Sequence, residues 1–155
     1  MWKVVPDRAR NLQFIFLKQM NLIFKKQKLL LVDDDAIFVE IAKRTIEKTG
    51  AVESLKVFQD GEGAISFLKE HQSEPDIIPD FIFLDINMPF MDGWQFLDEY
   101  ANFVNSLSKK PEIYMVSSSV DDSDLKRAKE IPLVKDYIIK PVSLDSFKKI
   151  LTNQP

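Results

Sequence analysis

Five short apolar runs, separated by segments of helical periodicity, constrain the fold of this chain more than any other feature. The runs cover residues 29–32, 55–58, 81–84, 113–116 and 133–139. Those of the central group are continuous rather than alternating, which is typical of strands buried on both faces of a parallel sheet. Because strands and helices alternate along the chain, we expect five βα units that form a doubly wound α/β sandwich.

The segments between the runs carry apolar side chains at helical spacing, and Gly50 follows the first segment as a predicted C-terminal cap. The predicted stripes are Phe38, Ile41, Ala42 and Ile46; Ala64, Ile65 and Leu68; Trp94, Leu97, Ala101 and Val104; Leu125, Ala128 and Ile131; and Leu144, Phe147 and Leu151. The fourth stripe, within residues 124–131, is the weakest. No internal repeat competes with this interpretation.

Charge is distributed unevenly along the chain. Residues 1–28 carry seven Lys and Arg side chains against one acidic side chain, a net charge of +6. Residues 29–155 carry 14 basic and 23 acidic side chains, a net charge of −9. Because an acidic body repels the phosphate backbone of nucleic acids, direct nucleic-acid binding would depend on the N-terminal residues alone. A short basic segment is usually a solvated tail, so we expect no nucleic-acid partner.

The pattern predicts one domain with a short segment at each end. We interpret residues 1–27 as a basic N-terminal extension of unknown role, residues 28–152 as the domain, and residues 153–155 as a C-terminal tail. The extension has only a weak helical spacing of apolar residues, which predicts an ordered or frayed surface segment. Met20 leaves open where the natural chain begins. No further domain is expected after the last helical stripe.

The residue types exclude several classes of protein. Cysteine is absent, so the chain has no disulfide, no thiolate nucleophile and no Cys-ligated metal centre. The single histidine, His71, lies in a polar loop flanked by prolines, and we expect it to be exposed. No run approaches the roughly 18 apolar residues of a membrane span, so no membrane contact is expected. We expect a cytoplasmic protein.

Polar residues follow four of the apolar runs at the point where each run ends. They are Asp33, Asp34 and Asp35 after the first run, Asp85 after the third, Ser117 after the fourth and Lys140 after the fifth. Because the carboxyl ends of parallel strands share one edge of the sheet, these side chains should converge there. Clustered carboxylates resist ionising together unless a cation lies between them. Oxygen-only ligands favour Mg²⁺, with Mn²⁺ also possible, and a lysine and a serine suit phosphoryl oxygens.

Four segments in the predicted order resemble the response-regulator receiver domains of two-component signalling. They read LLLVDDD (29–35), FIFLDINMPFMDGW (81–94), YMVSSS (114–119) and YIIKP (137–141). The resemblance covers about four-fifths of the chain and implies a flavodoxin-like sandwich of five βα units. The implied parallel sheet has the strand order 2-1-3-4-5. We expect no effector domain to follow, so the chain resembles receivers of the stand-alone type.

The resemblance also implies a phosphoacceptor and a metal site. Asp85 matches the aspartate that accepts the phosphoryl group and forms an acyl phosphate. Asp34 matches the direct metal ligand, and Asp33 matches the acid that acts through metal-bound water. Asp85 and the backbone carbonyl of Asn87 would complete the protein ligands of Mg²⁺. Asp35 is the best candidate for the N-cap of the following helix.

Three further residues match the family's switching machinery. Ser117 matches the hydroxyl that contacts the phosphoryl group and changes conformation, and Lys140 matches the phosphate-contacting lysine. Tyr137 matches the aromatic residue whose rotamer is coupled to that hydroxyl. The bond between Lys140 and Pro141 resembles one that the family holds cis, an isomer that proline makes accessible.

These residues imply a signalling module rather than an enzyme acting on an external substrate. The expected partners are a histidine kinase or phosphotransfer protein as donor, and a protein target at the face of the domain's fourth helix, fifth strand and fifth helix. The chain would be a monomer or a phosphorylation-dependent dimer. One alternative is a receiver-like scaffold that is never phosphorylated. Another is a phosphatase of the haloacid-dehalogenase type, which residues 85–87 disfavour because Asp-Ile-Asn lacks the second acid.

Overall fold

The computed structural model describes residues 6–152, apart from the side chains of residues 21–24. The elements in chain order are α1 Asp7–Phe24, β1 Gln27–Val32, α2 Ala36–Lys48, β2 Val52–Phe58, α3 Gly61–Glu70, β3 Phe81–Leu84, α4 Gly93–Phe103 with a 3-10 turn at Val104–Ser106, β4 Glu112–Ser117, α5 Asp122–Glu130, β5 Val134–Ile139 and α6 Leu144–Thr152. The predicted C-terminal tail, residues 153–155, lies outside the described residues.

The five strands form one parallel sheet in the order β2-β1-β3-β4-β5, which confirms the predicted fold. Val32 at the end of β1 is in register with Phe58 of β2 and with Leu84 of β3. Ser117 at the end of β4 is in register with Ile139 of β5. The carboxyl ends of the strands therefore meet along one edge of the sheet.

Side chains of the central strands alternate between two cores. Leu30 and Ile82 point to the face covered by α3 and α4, whereas Leu31 and Phe83 point to the face covered by α2 and α6. All four are almost completely buried. Both faces of β1 and β3 are covered, which explains why their sequences are continuously apolar.

Two residues of the predicted helical stripes are exposed rather than buried. Ile41 on α2 is exposed, and so is Ala101 on α4. The buried face of α4 instead includes Phe96, Tyr100 and Phe103, beside the predicted Trp94 and Leu97. Both choices of spacing are compatible with a helix, but the aromatic side chains remove much more apolar surface from water than an alanine does. They therefore decide which face of α4 packs against the sheet.

The prediction that His71 is exposed is wrong, because its side chain is mostly buried. Its ring centroid lies 4.8 Å from that of Phe67, and its Nδ1 lies 2.8 Å from a carboxylate oxygen of Glu74. The loop that follows α3 folds back onto the domain, where Ile78 is fully buried. That packing leaves the His71 side chain only about a quarter exposed.

The described part of the N-terminal extension is a helix. Helix α1 spans 18 residues and begins after Pro6, which provides no side-chain cap. Residues 7–19 are all exposed. Within the described residues, no helix is both long and apolar enough to cross a bilayer.

Candidate functional site

Three carboxylates come together at the carboxyl edge of the sheet. Asp33 and Asp34 directly follow β1, and Asp85 directly follows β3, so the pairing of these two strands brings the carboxylates together. One oxygen of each lies within 4.8 Å of one oxygen of each of the others. Asp33 and Asp85 are 1% and 5% exposed, whereas Asp34 is exposed. Two of the three carboxylates are thus buried, and the third is open to water.

Lys140 is the cation of this cluster. Its Nζ lies 2.7 Å from Oδ2 of Asp33 and 3.5 Å from Oδ1 of Asp85. The ammonium group also lies 4.2 Å from the centroid of the Phe38 ring. Its backbone N–H donates to the carbonyl of Ser117, which fixes the end of β5 beside the end of β4. The Lys140–Pro141 peptide bond is cis, the isomer that the resemblance implied.

The two buried carboxylates are costly to ionise. Burial raises the pKa of Asp85 to about 6, and the charge of Asp33 raises it in the same direction. Lys140 and the N–H of Ile86, which donates to Oδ1 of Asp85 at 2.9 Å, act in the opposite direction. Burial also raises the pKa of Asp33, although Lys140 and the Asp35 N–H oppose it. One ammonium group therefore does not fully compensate two buried carboxylates.

The donor set of the cluster fits a hard divalent cation. All three ligand candidates are carboxylates, which Mg²⁺ and Mn²⁺ prefer over nitrogen or sulfur ligands. Oδ2 of Asp33 faces the ammonium group of Lys140 but has no well-aligned hydrogen bond from the described residues. Because a carboxylate oxygen can accept more than one hydrogen bond, Oδ2 could accept one from a metal-bound water beside its contact with Lys140. The role of the Asn87 carbonyl as a ligand stays a prediction.

Ser117 and Tyr137 are linked through Ser119 rather than by direct contact. Ser117 is fully buried, and its Oγ accepts a hydrogen bond from the Ser119 N–H at 3.2 Å. The Tyr137 hydroxyl donates to the Ser119 carbonyl at 3.0 Å. The Ser119 hydroxyl donates to Asp124 of α5 at 2.8 Å. Any movement of Ser117 is thereby connected to β5 and to α5.

Glycine is required at position 93, which motif matching alone does not explain. A Cβ added to Gly93 would lie 2.5 Å from the carbonyl oxygen of Asp85 and 2.9 Å from the Cα of Ile86. The Gly93 N–H also donates to the Ile86 carbonyl at 2.8 Å. The turn after β3 therefore closes tightly against the backbone of Asp85. The glycine of the Met-Asp-Gly segment was the only sign of this contact in the sequence.

The position of Asp35 agrees with its predicted role as a helix cap. Its Oδ1 accepts hydrogen bonds from the backbone N–H groups of Ile37 and Phe38, at 3.0 and 3.1 Å. Two of the three consecutive aspartates therefore belong to the carboxylate cluster, and the third begins α2. The cap fixes the turn that carries Asp33 and Asp34.

Comparison with known proteins gives the same family along most of the chain. A family model described as "Response regulator receiver domain" matches residues 29–152. Among solved structures, a two component response regulator from Cytophaga hutchinsonii superimposes with a TM-score of 0.74. It is 28% identical in sequence, and the match covers 84% of this chain and 99% of that chain.

Two curated relatives carry names that describe regulators. The probable methanogenesis regulatory protein FilR2 of Methanothrix harundinacea is 29% identical over 78% of this chain and 76% of its own length. The probable C4-dicarboxylate response regulator DctR of Bacillus subtilis is 28% identical over 82% of this chain. The match spans only 51% of DctR. The described fold, the clustered strand-end residues and the family match together identify the chain as a member of the response regulator receiver domain family.

Proposed function

We propose that the chain is a two-component response regulator that accepts a phosphoryl group on Asp85 from a histidine kinase or a phosphotransfer protein. The observation that carries the proposal is the position of Asp85. This buried carboxylate lies within 4.8 Å of two others and 3.5 Å from the ammonium group of Lys140. Phosphoryl transfer requires mainly positioning and neutralisation of charge, and this cluster supplies both.

In the proposed reaction, an oxygen of Asp85 attacks the phosphorus of the donor's phosphohistidine. A P–O bond forms while the P–N bond breaks, and the electron pair of that bond remains on the imidazole nitrogen. Oδ1 of Asp85 already accepts a hydrogen bond from the Ile86 N–H, so we expect Oδ2 to be the nucleophile. With a pKa of about 6, Asp85 is mostly ionised at neutral pH.

The proposal includes Mg²⁺ or Mn²⁺ held by Asp34 and Asp85, by the Asn87 carbonyl, and by Asp33 through water. The bound cation would neutralise negative charge on the carboxylates and on the incoming phosphoryl oxygens. Lys140, which now contacts Asp33 and Asp85, would turn its ammonium group towards a phosphoryl oxygen.

Phosphorylation would act on the protein as a shift between two populated states. The acyl phosphate would draw the Ser117 hydroxyl towards it, which would break the hydrogen bond from the Ser119 N–H. Because Ser119 also contacts Tyr137 and Asp124, the face formed by α5, β5 and α6 would change. A protein target of that face would then bind one state better than the other. The proposal holds whether the chain stays monomeric or forms a dimer only in the phosphorylated state.

Exposed apolar side chains beside the acidic edge provide a surface for the phosphodonor protein. Ile37 and Ile41, one helical turn apart on α2, are 75% and 55% exposed. Phe90, in the loop after β3, is 87% exposed and has a φ of 65° in a turn closed by a hydrogen bond from the Met91 N–H to the Pro89 carbonyl. Such a φ is unfavourable for phenylalanine, and apolar groups exposed next to a reactive centre suit a protein partner. We place this exchange in the cytoplasm.

The test is the intact mass of the chain after incubation with acetyl phosphate and Mg²⁺. The expected result is one added phosphoryl group that hydroxylamine removes. The addition should be lost in Asp85→Asn and in the presence of a chelator, and should persist in the matched control Asp145→Asn, which changes an exposed carboxylate on α6. Uptake by Asp85→Asn, or no uptake by the folded chain, would contradict the proposal. The second result would favour a scaffold that is never phosphorylated.

A further inference from the structure

Helix α1 exposes an unusual concentration of large apolar side chains. Leu12, Phe14, Ile15, Phe16 and Leu17 are 68%, 65%, 48%, 59% and 54% exposed. They account for five of the eleven large hydrophobic side chains exposed in the described part of the chain, within only six residues. The helix lies outside the family match to residues 29–152, and the proposed function does not use it. An apolar surface of this kind indicates a binding partner.

The charged residues of α1 are almost all basic. Arg8, Arg10 and Lys18 are exposed and form no ion pair with a described residue, and Asp7 is the only acidic residue of the helix. Lys25 and Lys26 follow directly, and both are exposed. A partner of α1 must therefore combine an apolar layer with negative charge.

The arrangement of these residues fits the surface of a bilayer. Leu12 and Phe16 are four residues apart and so share one face of the helix. At 100° per residue, Arg10 and Lys18 lie about 140° from the centre of that face on its two sides, and Arg8 lies about 60° from it. In a helix lying in the membrane interface, the apolar face sinks below the headgroups while the flanking basic side chains reach up to them.

A second α1 helix is a poorer partner on two grounds. Phe14, Ile15, Phe16 and Leu17 are consecutive and therefore point in four directions around the helix, whereas one packed helix covers a single stripe. A helix about 10 Å wide that sinks roughly 5–10 Å into the interface is covered over much more of its circumference. Two α1 helices would also bring their basic side chains together.

We propose that α1 binds the surface of membranes that contain anionic lipids and lies in the plane of the interface. This contact is peripheral, and it differs from the expectation of no membrane contact, which rested only on the lack of a spanning run. Helix α1 precedes the amino end of β1, whereas Asp33 and Asp34 follow the carboxyl end of β1. The acidic edge thus lies at the other end of the strand, where a phosphodonor can still reach it. The inference does not depend on the proposed function.

The test is cosedimentation of the full chain with vesicles of phosphatidylcholine alone or mixed with phosphatidylglycerol. We expect binding at least about tenfold stronger to the anionic vesicles, weakened by added salt. The triple variant Arg8→Glu, Arg10→Glu, Lys18→Glu should lose that gain, and Leu12→Ser with Phe16→Ser should lose binding with the basic charges intact. The control is a second triple variant, Lys126→Glu, Lys129→Glu, Lys149→Glu, which changes exposed residues of α5 and α6. It alters the net charge by the same amount as the triple α1 variant, and its binding should stay within about twofold of that of the unchanged chain.

Equal binding to both vesicles, or equal losses in the α1 variant and the α5–α6 control, would overturn the proposal. So would a stable dimer, seen by sedimentation equilibrium without lipid, that Leu12→Ser and Phe16→Ser dissociate; a second copy would then be the partner of α1. Phosphoryl uptake from acetyl phosphate, measured on the same variants, should be unchanged. If the unchanged chain takes up no phosphoryl group, that result contradicts the phosphoacceptor role of Asp85 and leaves the membrane proposal intact.

Discussion

The tetrapeptide Phe-Ile-Phe-Leu occurs twice in this chain, at residues 14–17 in helix α1 and at residues 81–84 in strand β3. The third residue of the tetrapeptide is 59% exposed as Phe16 and fully buried as Phe83. Aromatic and β-branched residues favour strands over helices, so local preference agrees with the conformation in β3 and opposes that in α1.

The difference between the two copies comes from their neighbours. In β3, Ile82 is in register with Leu30 of β1 and with Ile113 of β4, and helices cover both faces of the sheet. Residues 7–19 of α1 have no comparable cover, since all of them are exposed. Partner strands and covering helices, rather than the apolar run itself, therefore decide the structure of such a segment.

Truncating the same residue in both copies should have the largest and most unequal effect. Phe83 packs edge-on against Phe147, with ring centroids 5.4 Å apart, and removing its ring would leave a cavity. We expect Phe83→Ala to lower the free energy of unfolding by about 3–5 kcal/mol. Phe16→Ala should change it by less than about 0.5 kcal/mol. Urea unfolding measures both, and equal losses would show that α1 packs against the domain in solution.

The turn that follows the buried copy should tolerate a methyl group poorly. In Gly93→Ala the new Cβ would meet backbone atoms of Asp85 and Ile86, which cannot move aside, so we expect a loss of about 1–3 kcal/mol. The matched change Gly63→Ala places its Cβ 3.0 Å from the side chain of Phe58, which can move. Its effect should stay within about 1 kcal/mol. A neutral Gly93→Ala in thermal unfolding would refute the tight closure described for this turn.

The buried carboxylate after β3 should make stability depend on pH. The pKa of Asp85 is about 6 in the folded chain, above its ordinary value, so between about pH 4 and pH 6 the folded state holds a proton that the unfolded state has lost. Stability from this group therefore falls as the pH rises through that range. With a chelator present, we expect Asp85→Asn to be more stable than the unchanged chain by about 1–3 kcal/mol at pH 7 and equal to it near pH 4.

The control for this pH dependence is Asp7→Asn on the exposed helix α1, which should not change stability at either pH. Mg²⁺ should reduce the advantage of Asp85→Asn at pH 7, because a bound cation favours the ionised carboxylate. An advantage of Asp85→Asn that grows towards low pH would contradict the assigned direction of the shift.

The smallest expected effect concerns the helix starts. Asp35 caps α2 by accepting two backbone hydrogen bonds, so Asp35→Ala should cost about 1 kcal/mol. Helix α1 begins after Pro6, which makes no side-chain cap, and Pro6→Ala should leave global unfolding unchanged. Chemical denaturation of both variants tests whether the two helices differ in this way, and a loss of 1 kcal/mol in Pro6→Ala would erase the difference.

Much of the domain could be predicted from the sequence because its signals are strong and local. Continuous apolar runs placed the strands, and Gly50 has the positive φ of 67° that suits its predicted position after α2. The residues at the strand ends could be placed on one edge because parallel strands share their direction. Asp33, Asp34, Asp85 and Lys140 do lie together there.

The remainder depends on packing that a single sequence does not encode locally. The spacing of Ala101 suits a helix face as well as that of Tyr100, and only the volume available under α4 selects the aromatic residue. The half-buried state of His71 depends on how a loop folds back onto Phe67. The link from Ser117 through Ser119 to Tyr137 consists of hydrogen bonds to backbone groups, which side-chain identity does not reveal.

The central claim is that Asp85, rather than a neighbouring carboxylate, accepts the phosphoryl group. The most direct test is to treat the chain with acetyl phosphate and Mg²⁺, reduce the acyl phosphate with borohydride, and locate the reduced residue by tandem mass spectrometry of the peptides. We predict that the residue at position 85 is the only one reduced. Reduction at Asp33 or Asp34, or at no residue of the folded chain, would contradict the claim.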